Sequence, residues 1–190
     1  MGQKGAETRD RLLDATQELI EAGGYFGAGL NQVIAASGAP RGSLYFHFPG
    51  GKDQLVGESV RRAGGMIGDA LGGLAGSSPS VAEFVDGVLR HLGDRLEESG
   101  WRKGCPVATV ALEMAATSDP LHEACSEVYA SWQEALRAQL SGRPDADDLA
   151  VTVLALVEGA LLLARAHRSR GPLDSVSRQI GALLALTRPA

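Results

Sequence analysis

The chain has 190 residues, 44% of them hydrophobic and 5% aromatic, with a formal net charge of −5. That length buries a core in one domain or in two small ones, and the acid excess excludes a uniformly basic nucleic-acid binder while leaving room for a local patch. Two cysteines make no disulfide framework, and the polar first stretch is unlike a signal peptide, so a soluble, cytoplasmic protein is expected.

Ala, Leu and Val dominate the apolar set and no run of alternating β-branched residues stands out, which points to an all-helical fold. A first helix reads ETRDRLLDATQELIEAGGY: Leu12, Ala15, Leu19 and Ala22 recur at helical spacing, with Leu13 and Ile20 widening the stripe. Thr8 is its expected N-cap and Gly23-Gly24 its stop. LNQVIAAS is a short second helix broken by Gly38, and PRGSLYFH a third, with Pro40 suited to its first turn. A Phe48-Pro49-Gly50-Gly51 turn leads into a fourth helix from about Lys52 towards Leu74, weakened by Gly57, Gly64, Gly65 and Gly68. Ala75–Ser80 reads as a linker. Helix five follows over about Val81 to Glu98; helix six is opened by Pro106 and helix seven by Pro120. Helix eight spans about Asp147 to Arg168 and helix nine about Leu173 to Thr187, nine in all.

The chemistry concentrates in GAPRGSLYFHFPGGKDQL. As a phosphate-cradling nucleotide loop it fails: Asp53 follows Lys52 where a hydroxyl must hold magnesium, Phe46 stands where the first glycine belongs, and no strand precedes it. As a helix-turn-helix it works. Gly38 supplies the tight turn, Ile34 and Leu44 pack under the corner, and the following helix lies in a major groove. Arg41 then reaches guanine or phosphate, Gly42 admits close approach, and Ser43, Tyr45 and His47 offer hydrogen bonds. Lys52, at the positive end of helix four, suits a backbone phosphate. Asn31 and Gln32 would reach the other strand. Leu44, Phe46 and Phe48 are expected in the core, which leaves Tyr45 as the one aromatic at the DNA. The first 62 residues carry seven basic and seven acidic residues, against 11 and 16 in the remainder, so the acid excess lies elsewhere.

This stretch resembles the end of the DNA-binding domain of TetR-family regulators, whose pattern is matched at Gly38, Gly42, Ser43, Leu44, Tyr45, His47, Phe48 and Lys52; the likeness covers about residues 6–66. GCPVATVALE, Gly104–Glu113, with the Pro-Gly-Gly-Lys turn, resembles a branch that includes repressors of multidrug-export and flavonoid-response genes. Where the family often caps helix two with Thr, this chain has Gly29 and Leu30, and Pro40 replaces a common Ser or Thr. The resemblance implies a helix-turn-helix domain over 1–51, with the motif from Gly29 to Phe48, and a ligand-binding and dimerisation domain over 52–190.

Helix eight is apolar almost all round, which calls for partners beyond its own domain. Val153, Leu156, Ala160 and Leu163, with Ile180, Leu183 and Leu184 of helix nine, are the expected interface of a homodimer; a fully intrachain core is the other reading. Glu158 in its middle argues against a membrane span. The resemblance implies a ligand pocket within helices four to seven, with Phe84, Val88, Trp101, Val107, Val110, Met114, Trp132 and Leu136 as candidate lining. Glu158 would pair with Arg165 across the dimer or anchor the ligand.

No nucleophile–base set and no G-x-S-x-G is present, and His122 with Cys125 is two ligands short of a structural zinc site, so no enzyme, metal or cofactor is expected. The sequence reads as a one-component regulator: a homodimeric repressor on a palindromic double-stranded operator, released by a small, mostly apolar effector. The competing reading is a helical ligand-binding or scaffolding protein whose corner no longer binds DNA.

Overall fold

The computed structural model describes residues 3–78 and 80–186. Pro79 of the expected linker and Thr187 at the expected end of the last helix lie outside the described residues. Among those described, all regular structure is helical: α1 (Gln3–Gly27), α2 (Leu30–Ser37), α3 (Arg41–His47), α4 (Gly51–Ser77), α5 (Val81–Glu98), α6 (Pro106–Met114), α7 (Asp119–Gln139), α8 (Ala146–His167) and α9 (Gly171–Leu186). The chain divides into two compact units, one comprising the residues up to Gly65 with Cys105–Val128, the other Met66–Gly104 with Tyr129–Ala190.

The first unit is built around Leu12, Leu13 and Ala15 of α1, Val33 of α2, Leu44 of α3, and Ala39, Phe48 and Leu55. Leu44 and Phe48 are fully buried, and each contributes about 2 kcal/mol by leaving water. Arg9 lies over the Phe48 ring, 5.3 Å from its centroid, and pairs with Glu58 of α4. The α2–α3 corner turns at Gly38, whose φ of 62° is the left-handed conformation that glycine adopts without strain. Ile34 packs against the core beneath it.

Two helix starts differ from expectation. Thr8 is inside α1, not at its cap: its hydroxyl donates to the Lys4 carbonyl at 2.9 Å, the back-bonding a helical threonine makes when the helix already extends before it. Pro40 is the N-cap of α3, one position before the first turn. The expected break at Gly23-Gly24 is present: Gly24 (φ 68°, ψ −165°) is non-helical and kinks α1, and a short helical turn follows it to Gly27.

α6 packs along α1, and Thr109 Oγ1 donates to the Ile20 carbonyl at 3.1 Å. α4 holds as one helix of 27 residues despite its glycines. Gly64 has a packing reason: a Cβ there would meet Val128 Cγ1 at 2.4 Å. Both cysteines are buried in this unit. Cys105 caps α6, its sulfur accepting from Ala108 N, and burial pushes the Cys125 thiol up to about 11.

In the second unit α5 packs its Phe84, Val85, Leu89 and Leu96 face inward, and α9 lies against both α5 and α8. Polar ties join α5 to the following chain: Ser177 Oγ donates to Asp86 at 2.6 Å, and Arg170 pairs with Asp94 and Glu97. Arg143 grips both oxygens of Asp145 and caps the Leu184 carbonyl at 3.2 Å. By length and composition α8 would suit a membrane span; here it is half of a helical pair with α9.

Candidate nucleic-acid interface

The α2–α3 corner divides its side chains by spacing. Leu44 on α3 and Phe48, the C-cap just after it, are four apart and both buried. Phe46, two positions from either, is 75% exposed and Tyr45 60%, so the expectation that Phe46 sits in the core is corrected. The ring instead stands outward, edge-on to His47 with centroids 5.0 Å apart. Pro40, Arg41 and Gly42 are exposed beside them, and Ser43 and His47 are half-buried. Ser43 is already engaged, its hydroxyl donating to the Pro40 carbonyl at 2.6 Å.

Asn31 and Gln32 of α2 are exposed, and each uses its carbonyl oxygen within the protein. Arg41 Nη2 donates to Asn31 Oδ1 at 3.1 Å. Gly29 N donates to Gln32 Oε1 at 3.1 Å, the half of a capping box in which the third helical residue reaches back to the N-cap backbone. The amide ends left over are donors, the polarity a phosphate oxygen accepts. Arg11, which sequence reasoning passed over, donates to the Ser37 carbonyl at 3.3 Å and closes the C-terminal end of α2. Its signal was a basic residue one helix away in sequence from the carbonyls it caps, which local spacing does not reveal.

Lys52 lies in the first turn of α4, half-buried, with Nζ 4.0 Å from the centroid of the Tyr25 ring. Burial moves its pKa below the ordinary lysine value, opposed by Asp53 and Glu113. Asp53 is turned into the protein: Tyr25 Oη donates to Oδ1 at 2.6 Å and Ser118 Oγ to Oδ2 at 2.7 Å. Burial and that carboxylate push the Tyr25 hydroxyl up to about 12.

The candidate pocket residues are drawn from both units. Phe84, Val88, Trp101, Trp132, Leu136 and Glu158 belong to the second unit, Val107, Val110 and Met114 to the first. Phe84, Val107, Val110, Trp132 and Leu136 are buried; Val88, Trp101, Met114 and Glu158 are half-buried. Trp101 has a φ of 63°, an uncommon backbone for a bulky residue. Arg165 is half-buried, with its guanidinium close to Gly104.

Of the seven residues expected between two copies, Val153, Ala160, Ile180 and Leu184 are buried within the single chain, and Leu156 and Leu183 are half-buried. Only Leu163 is exposed, at 50%, together with Val151 at 52% and Leu162 at 60%. The inward stripe of α8 packs within its own unit, and the outward stripe is Val151, Ala155, Gly159, Leu162, Leu163 and Ala166. Among the described residues no three His, Cys, Asp or Glu side chains group as metal ligands.

Residues 12–58 match the family model "Bacterial regulatory proteins, tetR family", and residues 81–179 match "Transcriptional regulator LmrA/YxaF-like, C-terminal domain". The chain is 36% identical to the HTH-type transcriptional regulator LmrA of Bacillus subtilis (strain 168), over 94% of this chain and 97% of that one. Its fold is similar to that of a TetR transcriptional regulator from Chloroflexus aurantiacus J-10-fl, with a TM-score of 0.83, 26% identity and 97% of each chain covered. It also resembles the TetR family transcriptional regulator CifR, solved with 26-bp double-strand operator DNA: TM-score 0.77, 24% identity, 90% of this chain and 94% of that one.

Proposed function

This chain belongs to the TetR family of DNA-binding, helix-turn-helix transcriptional regulators, which are not enzymes, and from there we propose that it is a cytoplasmic, homodimeric repressor released from a palindromic operator by a small, mostly apolar effector. Residues 1–51 read the DNA; residues 52–190 bind the effector and form the dimer.

The observation that carries the reading is the division of α3. Leu44 and Phe48 anchor it, while Arg41, Tyr45 and Phe46 stand in solvent on one short helix. In a major groove Arg41 makes a bidentate contact to guanine, with its guanidinium oriented by Asn31, and the Phe46 ring packs on a thymine methyl or a sugar. Asn31, Gln32, Tyr45, His47 and Lys52 take phosphates, and Pro40 and Gly42 bring the backbone close. CifR, a fold relative, is solved on a double-strand operator, which supports the same use of this fold. Two copies joined through the outward α8 stripe would set two α3 helices roughly 34–36 Å apart, one turn of DNA. Effector and DNA then oppose each other by the same coupling factor.

The test is a mobility-shift titration on the duplex flanking the chain's own gene. The wild type retards it with steep salt dependence. Arg41→Ala weakens binding by about 1–3 kcal/mol and relaxes base preference at one position of each half-site. Phe46→Ala weakens it with no loss of thermal stability, because its ring supports no core. Retention of full affinity by both variants would remove α3 as the reading helix.

A further inference from the structure

Lys52 is placed by more than its own helix. Its ammonium rests over the Tyr25 face, an attraction that holds the long side chain. The Tyr25 hydroxyl donates to one oxygen of Asp53 and the Ser118 hydroxyl to the other. Ser118 is 7% exposed. Its backbone N–H donates to the Met114 carbonyl at 2.9 Å, so it belongs to the corner between α6 and α7. Glu113, at the end of α6, faces the same group: it accepts the Phe26 N–H at 3.2 Å, and its carboxylate fills the space beside Gly24. The ends of α1 and α6 and the starts of α4 and α7 thus converge on one cation.

We propose that Tyr25, Asp53 and Ser118 are positioning residues for Lys52, so that the α6–α7 corner sets, through the Ser118 hydroxyl, the Asp53 carboxylate and the Tyr25 ring, where the ammonium meets a DNA phosphate. The inference rests on the reading of Lys52 as a phosphate contact. Its physical content is preorganisation. A lysine free on its four-carbon stem loses rotamer entropy when a phosphate fixes it; a lysine already held over a ring loses less. The two hydroxyls have a second effect. By accepting both hydroxyls, Asp53 is held in one orientation, so its charge acts on the ammonium from a fixed position. Any movement of the α6–α7 corner is then transmitted to the grip on the DNA backbone.

The experiment measures affinity against salt for the full chain on the duplex flanking its own gene. Lys52→Ala lowers the slope by about 1. Ser118→Ala and Tyr25→Leu each weaken binding by about three- to tenfold, Tyr25→Phe follows Ser118→Ala, and Ser118→Thr restores the wild-type value. In a Lys52→Ala background none of these changes weakens binding further. If they weaken it equally with and without Lys52, their role is structural and the relay is overturned. If Lys52→Ala flattens the slope while Ser118→Ala and Tyr25→Leu bind at full strength, the relay falls and the phosphate reading stands. An unchanged slope in Lys52→Ala overturns both.

Discussion

Tyr25 and Cys125 both favour their neutral forms in the folded chain. Burial and the hydrogen bond to Asp53 push the tyrosine up to about 12 from 10.0, and burial pushes the cysteine up to about 11 from 9.0. For an acid whose folded pKa is raised, the stabilisation is complete below the unfolded value and is lost as pH rises through the folded one. Unfolding free energy therefore falls from about pH 9, where the unfolded thiol begins to ionise, to about pH 12. Denaturant titrations across that range check it: Cys125→Ala with Tyr25→Phe flattens the decline, and a variant falling as steeply as the parent would assign the loss to other groups. The same few residues show what a sequence discloses. Leu44 and Phe48 were readable as anchors. The outward direction of Phe46 was readable too, since two positions along a helix turn a side chain to the far face; its aromatic character hid it. Asp53 reads from its neighbours as a charge that repels phosphate. Its actual partner, Ser118, is 65 positions away, and no local pattern reports such a pair.

Among the helices, α4 tests whether its glycines are there for packing or by indifference. Gly64 and Gly65 are adjacent, yet a Cβ on Gly64 would run into the branched, stiff Val128, and one on Gly65 has nothing within 4 Å. Gly64→Ala should destabilise by about 1–3 kcal/mol through overpacking. Gly65→Ala should stabilise by about 0.5–1 kcal/mol, because alanine loses less backbone freedom on folding. Thermal melts of the two variants decide it; equal shifts of one sign would contradict the packing. The helix boundaries were largely written in Gly and Pro, and α5 runs over the expected Val81 to Glu98. The start of α1 was not, because a threonine suited to a cap also back-bonds within a helix. The division of α8 into inward and outward stripes was hidden by composition: with apolar residues all round, periodicity cannot say which face its own chain covers.

For the whole molecule, the outward stripe of α8 is the surface on which the proposed pairing depends. Leu162→Glu with Leu163→Glu places charge where the isolated chain is open, so folding persists while pairing is lost. Sedimentation should give a monomer, and operator affinity should fall by about a hundredfold or more as the two half-sites lose their linkage. A dimer of unchanged stability would move the interface elsewhere. The buried state of Cys105 and Cys125 bears on how such assembly is observed. Neither thiol is presented to a reagent, and the one with the raised pKa has little thiolate at neutral pH. The native chain is thus a silent background for thiol chemistry: a single cysteine introduced at exposed Ala36 would carry a fluorophore or spin label by itself, and the separation between labels on two copies would register, ligand by ligand, how far the reading heads stand apart.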